Sequence, residues 1–246
     1  MKNASLRGLL IAIGASAIVW AMGVLEVYRF EAAVVDVGRR ALSGEKFSHA
    51  QLGTAGRTMD EVASSIRAHS SGLNSLAVVR LLLAEDELRA RKRAAADLAD
   101  VQLAVGNALA ISPMNSFAWL VSAWIKRQRG EAVPEAVSAL RMSYQTGPNE
   151  AWIAAMRNPL VLGIFLALPG ELAEKALAEF GGLVRARLYA AAADILAGPG
   201  WVVREQLLGG LVDLDDENRR QFARALAAKD IDVKVHGVKD PPFRRF

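Results

Sequence analysis

An uninterrupted apolar run near the N-terminus, from Gly8 to Leu25, is the feature that most constrains this chain. As an α-helix rising about 1.5 Å per residue, the run would extend roughly 27 Å, close to the thickness of the hydrocarbon core of a bilayer. No charged residue interrupts it. We therefore expect an all-α chain that begins with a transmembrane helix, which together with its helical extension occupies residues 1–44.

A cleavable signal peptide is the alternative interpretation of this run. It would share the basic start, with Lys2 and Arg7, and Val19-Trp20-Ala21 offers a small-residue cleavage site. An uncleaved anchor is favoured because the apolar stretch continues to Leu25, beyond the usual length of a signal-peptide core. The basic residues before the run favour an N-terminus inside the cell, although arginines also follow it. The large C-terminal part would then be periplasmic, and a cytoplasmic location is the alternative.

Small residues recur every four positions along the predicted membrane helix, at Gly8, Ala12 and Ser16. They form a stripe on which a second helix can approach closely. We expect self-association or a membrane partner there, and the alternative is that glycine and alanine are simply frequent in membrane helices.

Composition indicates helices throughout the remaining chain. Alanine and leucine dominate the 52% hydrophobic content of 246 residues, and charged residues recur at helical spacing. The absence of cysteine excludes disulfides, thiolate catalysis and cysteine-ligated zinc. The net charge of +4 is spread along the chain, so we expect no binding of nucleic acid.

A seven-residue pattern occurs twice, 41 residues apart, beginning at Leu73 and at Met114. In each copy an asparagine, Asn74 or Asn115, precedes an apolar stretch and is expected to cap a new helix. A weaker third start follows Pro148. Helix pairs repeated at intervals of 30 to 45 residues indicate an α-solenoid.

The stretch from Pro113 to Pro148 resembles a tetratricopeptide (TPR) repeat. Trp119 lies at the aromatic position of the first helix, Ala123 lies where the two helices cross, and Lys126 replaces the usual tyrosine. The resemblance implies packing between repeats through Trp119, Ala123 and the later Trp152. The predicted organisation is a linker and short helix (45–72), TPR-like repeats (73–157), a helical cap (158–229) and an extended tail (230–246).

Basic residues cluster after each predicted repeat helix. They either complement helix dipoles or contact an anionic surface such as lipid head groups. The residues concerned are Arg89, Arg91, Lys92, Arg93, Lys126, Arg127 and Arg129.

Three local signals organise the C-terminal part. Asn158-Pro159 predicts the start of a helix, and Gly181-Gly182 predicts a break. Alternating apolar residues from Ile231 to Val235 predict a short strand that either folds back on the domain or pairs with a partner's sheet.

Residues suited to catalysis are sparse. His49, His69 and His236 are far apart, and neither a nucleophile elbow nor a phosphate loop occurs, so no metal or cofactor is predicted. Asp213 and Asp215 form an Asp-x-Asp pair without the strand-turn-helix that phosphate binding requires.

We therefore expect a non-enzymatic scaffold or adaptor in the inner membrane of a Gram-negative bacterium. Its partners would be other envelope proteins, in assemblies such as those for surface polysaccharide synthesis or export, an expectation that follows from the resemblance alone. The alternative is an envelope enzyme acting on polysaccharide or peptidoglycan, which requires a pocket with two facing carboxyl groups.

Overall fold

Helices form all the regular structure in the part of the chain that the computed structural model describes, residues 11–22, 25, 32, 34–38, 40, 47–63, 70–89 and 94–238. The expectation of an all-α chain is confirmed for these residues. The chain divides into two compact units, Met1–Pro113 and Met114–Phe246. The named helices are α1 (His49–Ala63), α2 (Ser70–Arg89), α3 (Ala94–Ile111), α4 (Ser116–Gln128), α5 (Val133–Thr146), α6 (Ala151–Leu162), α7 (Gly170–Arg185), α8 (Tyr189–Ala197), α9 (Arg204–Gly209) and α10 (Asp216–Ala227).

Residues 11–22 are helical, and every one of them is exposed, including Ala12 and Ser16. Gly8, the first member of the predicted small-residue stripe, lies outside the described residues. Within the described part of the chain, no helix combines the length and the apolar character that crossing a membrane requires.

In the first unit, α2 packs against both α1 and α3. One sequence prediction about a helix start is wrong here, because Asn74 lies inside α2 and does not precede it. The reason in α2 is burial: Leu73 is fully buried, so the apolar face of the helix begins before Asn74. Gly38 allows a close approach to α2, since a Cβ at this position would lie 2.8 Å from the Ser75 Cβ.

In the second unit, two helical hairpins follow each other, α4–α5 and α6–α7, and α4 also contacts α6. The predicted cap at Asn115 is confirmed, because its side chain accepts a hydrogen bond from the Ala118 N–H at 3.1 Å. Gly130, with φ of +69°, closes the turn after α4. This arrangement is all-α and resembles a helical repeat.

Two further predictions about helix ends are wrong in this unit. Asn158 and Pro159 lie inside α6, because the Asn158 amide is buried and donates to the Ala176 carbonyl of α7 at 2.8 Å instead of capping a helix. The helix ends soon after Pro159, at Leu162. Gly181 and Gly182 continue α7, where a Cβ at Gly181 would lie 3.8 Å from the Gly210 carbonyl.

The C-terminal helices pack on the other side of α7. Phe180 and Phe222 are fully buried and meet edge to face, with ring centroids 5.9 Å apart, so that α10 packs on α7. Residues 231–235 form no strand, and the predicted strand is wrong. The segment nevertheless folds back on its own unit, since Val235 is buried and Arg219 donates to the His236 carbonyl at 3.1 Å. Residues 239–246 of the predicted tail lie outside the described residues.

Candidate functional site

Arg157 of α6 is the largest fully buried side chain of the described residues, and all three of its guanidinium nitrogens donate hydrogen bonds. Nε and Nη2 donate to the same carboxylate oxygen of Glu179, at 2.9 and 2.6 Å. Nη1 donates to the carbonyl and hydroxyl of Ser143, at 2.8 and 3.1 Å, and Nη2 also donates to the Gly147 carbonyl at 3.1 Å. The guanidinium is therefore saturated by protein acceptors.

Glu179 of α7 is the counter-ion, and only 6% of its side chain is exposed. Its second carboxylate oxygen accepts from the Tyr144 hydroxyl at 2.9 Å and from the Asn158 amide at 3.3 Å. Burial raises the pKa of the Glu179 carboxyl above its ordinary value, and hydrogen bonds and charge from Arg157 oppose that rise. Burial, followed by the charge of Glu179, also raises the pKa of the Tyr144 hydroxyl.

The helix ends determine how these groups meet. Ser116, the first residue of α4, is buried and donates to the Ser143 carbonyl at 2.8 Å. Gly147 ends α5 beside it, and a Cβ at Gly147 would lie 2.5 Å from the Ser116 Cβ. The Arg157 guanidinium also lies 4.0 Å from the centroid of the Tyr144 ring, a cation–π contact.

We call this cluster the arginine junction: Ser116, Ser143, Tyr144, Gly147, Arg157, Asn158 and Glu179. It draws residues from α4, α5, α6 and α7, and therefore joins the two hairpins of the second unit. Because its donors are satisfied internally and its ion pair is buried, the junction has the properties of a structural network rather than of a ligand site.

Sequence reasoning missed the arginine junction. A signal was present for Arg157, which is the one charged residue of α6, whereas α7 contains several charged residues besides Glu179. A charge on an otherwise apolar face is seldom buried without a partner. The sequence did not identify Glu179 as the partner of Arg157, because the two residues are 22 positions apart.

The three residues predicted to pack between repeats are all in helices of the second unit. Ala123 is fully buried in α4, and Trp119 of the same helix is half-buried. Trp152 of α6 remains 39% exposed and contacts Phe117 of α4, with ring centroids 5.4 Å apart. Trp152 therefore contributes to the contact between the first helices of successive hairpins.

The predicted basic clusters have different surroundings. Arg89 ends α2, whereas Arg91, Lys92 and Arg93 lie outside the described residues. Lys126 pairs with Glu131 at 3.1 Å, so its charge is locally compensated. Arg127 and Arg129 make no side-chain hydrogen bond or ion pair with the residues that the structure describes.

The Asp-x-Asp pair does not act as a pair. Asp215 caps α10, where its side chain accepts from the Asn218 N–H at 2.8 Å, and this hydrogen bond holds its pKa below the ordinary value. Asp213 is exposed. Across the described ranges, no three His, Cys, Asp or Glu side chains are grouped so that they could hold a metal ion.

Two carboxylates line one cleft: Asp215, the N-cap of α10, and Glu217 in the first turn of the same helix. A hydrogen bond from Gln221 lowers the pKa of Glu217, so both carboxyl groups of this cleft have lowered pKa values. Glycoside hydrolysis needs one carboxyl group with a raised pKa as general acid. Neither carboxyl group of this cleft therefore has the raised pKa that the general acid of a glycoside hydrolase needs.

No model of a known protein family matches the sequence, and no curated protein is significantly similar to it. The functional argument therefore rests on the geometry of the described residues.

Proposed function

We propose that this chain is a membrane-anchored helical-repeat scaffold or adaptor in the bacterial cell envelope, with its second unit in the periplasm. The observation that carries the proposal is the arginine junction, in which the most deeply buried charged groups tie successive helical hairpins together. Repeat proteins bind partners on the extended surfaces that such stacking creates. A TPR-like solenoid is the finer form of this proposal, and surface polysaccharide synthesis or export is the proposed setting.

The exposed helix of residues 11–22 supports the anchor. Its large apolar side chains point in several directions around the helix, and each is more than half exposed: Ile11, Ile13, Ile18, Val19, Trp20 and Met22. A helix that is apolar on all sides needs lipid or protein around it. The proposed span from Gly8 to Leu25 extends into residues outside the described ones.

Topology can be tested with reporters fused to the C-terminus, one active only outside the cytoplasm and one active only inside. We expect activity from the first and none from the second, with the protein resistant to alkaline extraction from membranes. The reverse pattern of reporter activity would place the domain in the cytoplasm, and release by alkali would contradict the anchor.

The adaptor function can be tested by crosslinking the full-length chain in membranes. We expect an envelope protein to be crosslinked to the native chain, to be lost with Glu179→Leu, and to return with the double variant Arg157→Met/Glu179→Leu. The double variant removes both charges. It is the matched control, because it lacks the ion pair but leaves no buried charge without a partner. No crosslinked envelope protein, or hydrolysis of polysaccharide or peptidoglycan by the purified chain, would contradict the proposal.

A further inference from the structure

Helix α3 of the first unit is apolar on two opposite faces. One face is buried, and α2 packs against this helix. The buried residues are Leu98, Val101, Ala104, Val105 and Ala108. The opposite face is exposed and carries Leu103, whose exposed fraction is 66%, together with Ala99, Gly106 and Ala110. A helix with one buried face usually presents polar side chains on the other, so the second apolar face of α3 fits a helix with a further partner.

The exposed apolar residues recur at intervals of four, three and four positions. This is the heptad spacing of a seam between two packed helices. No charged residue occurs from Val101 to Ile111. Asp100, which follows Ala99, is compensated by Arg80, with a carboxylate oxygen 3.6 Å from a guanidinium nitrogen. A second copy of the seam can therefore approach the first without repulsion between like charges.

The seam is complementary to itself when two copies run antiparallel. A register that sets Leu103 opposite Gly106 of the second copy also sets Ala99 opposite Ala110, because both pairs share the same midpoint. A Cβ at Gly106 would meet nothing within 4 Å, so the surface has an open position there that a leucine can fill. Each large side chain of one copy therefore meets the smallest residue of the other.

We propose that two copies of this chain associate through their α3 helices, packed antiparallel in this register. The same register sets Gln102 opposite Asn107, and their side-chain amides can donate to and accept from each other. The contact has two-fold symmetry, so each pairing occurs twice. A second copy is the occupant because the large and small positions of this one sequence fill each other.

The small size of the contact connects this inference to the proposed anchor. Stable interfaces bury roughly 800 Å² on each partner, which is more than one pair of short helices provides. Two chains tethered in the same membrane meet at a raised effective concentration, which offsets the small area. The inference thus goes beyond the adaptor function and rests on the proposed anchor alone.

Disulfide formation tests the register, because the native chain has no cysteine. Two full-length chains with different epitope tags, one with Ala99→Cys and one with Ala110→Cys, are co-expressed, and their membranes are oxidised with copper phenanthroline. We expect a disulfide between the two chains.

Each cysteine variant expressed alone should form no disulfide. In the antiparallel register the two copies of one position lie about 16 Å apart along the helix axis, whereas the Cα atoms of a disulfide lie within roughly 7 Å. Ala50→Cys, at an exposed position of α1, is paired with Ala99→Cys as the control for random collision and should give no disulfide.

Two further variants, made in the paired cysteine chains, test the packing. Gly106→Leu should lower the yield of the disulfide between chains about tenfold or more, because it fills the position opposite Leu103. Its melting temperature should be kept, since the added side chain has open space in its own chain and leucine favours a helix. The exchange variant Leu103→Gly/Gly106→Leu should restore the disulfide, because a large residue again faces a small one.

Four results would overturn the inference. The first is no disulfide between the two tagged chains, and the second is a disulfide that Gly106→Leu leaves unchanged. The third is crosslinking of each cysteine variant with itself, which would indicate parallel helices. The fourth is a disulfide-independent crosslink from this face to a different envelope protein in place of a second copy.

Alkaline extraction of the same membranes reports on the anchor separately. Release of the chain by alkali contradicts the anchor, whereas a retained chain without the disulfide contradicts only the helix pair. The two failures can therefore be distinguished in one preparation.

Discussion

Two neighbouring residues of α7 make opposite kinds of contact. Glu179 forms the ion pair of the arginine junction with α6, whereas Phe180 packs edge to face on Phe222 of α10. Successive residues of a helix point about 100° apart, so the two side chains enter different layers of the second unit. One helix therefore carries a polar contact on one side and an apolar contact on the other.

The ion pair and the aromatic contact differ in which substitutions they tolerate. A buried charge needs its specific partner, because removing one member leaves the other desolvated and uncompensated. An apolar contact depends on volume and shape, so a smaller apolar side chain preserves part of it. The arginine junction can thus specify which helices meet, while the aromatic contact supplies burial.

The largest effect is expected for Glu179→Leu. This change leaves the Arg157 guanidinium buried without a counter-ion, and we expect a loss of about 3–5 kcal/mol in the free energy of unfolding. Urea denaturation of the full-length chain, followed by circular dichroism, measures this loss. Glu174→Leu, a change of the same type at an exposed position of α7, is the control and should have a much smaller effect.

The second largest effect is expected at Gly147, which lies close to Ser116 in the arginine junction. Gly147→Ala should destabilise by about 1–3 kcal/mol, because the new Cβ would overlap Ser116 at the start of α4. Gly182→Ala in α7 is the matched control, since a Cβ there meets nothing within 4 Å and alanine favours a helix. Equal unfolding free energies for the two variants would show that Gly147 is not required for close approach.

A smaller effect is expected on the apolar side. Phe222→Leu should lose about 1–2 kcal/mol, because the edge-to-face contact disappears while most of the buried volume is kept. Thermal unfolding of the variant should remain cooperative. If Phe222→Leu lost as much unfolding free energy as Glu179→Leu, the aromatic contact would be no more tolerant of substitution than the ion pair.

The smallest effect concerns the cap of α10. Asp215→Ala should lower the melting temperature at pH 7, because the Asn218 N–H loses its acceptor. The pKa of Asp215 is lowered in the folded chain, so its charged form stabilises the fold above the ordinary aspartate range and this contribution is lost as pH falls. The difference in melting temperature between Asp215→Ala and the native chain should therefore become smaller as the pH is lowered. Asp213→Ala, at an exposed neighbour, should unfold like the native chain at every pH.

The sequence correctly predicted the all-α class and the start of α4. Its predictions of helix ends were wrong where tertiary contacts override local signals. Asn115 caps α4 as expected, because a cap depends only on nearby backbone. Asn158 looked like a similar cap, but its amide is used to contact α7, 18 residues further along the chain. Gly181 and Gly182 looked like a break, although glycine inside a helix is tolerated and here lies near the neighbouring backbone.

The candidate sites depend on contacts that spacing does not reveal. Arg157 stands out as the one charged residue of α6, yet its pairing with Glu179 follows from how α6 and α7 pack together. Local rules therefore explain single helices, and the junction between them requires the structure.

The most direct test of this account is a double-mutant cycle on the arginine junction, with Arg157→Met, Glu179→Leu and the double variant in urea denaturation. If the buried ion pair joins the two hairpins, the double variant should be more stable than either single variant, because no unpaired charge remains. If the two single losses simply add in the double variant, the two side chains act independently and the central claim is contradicted.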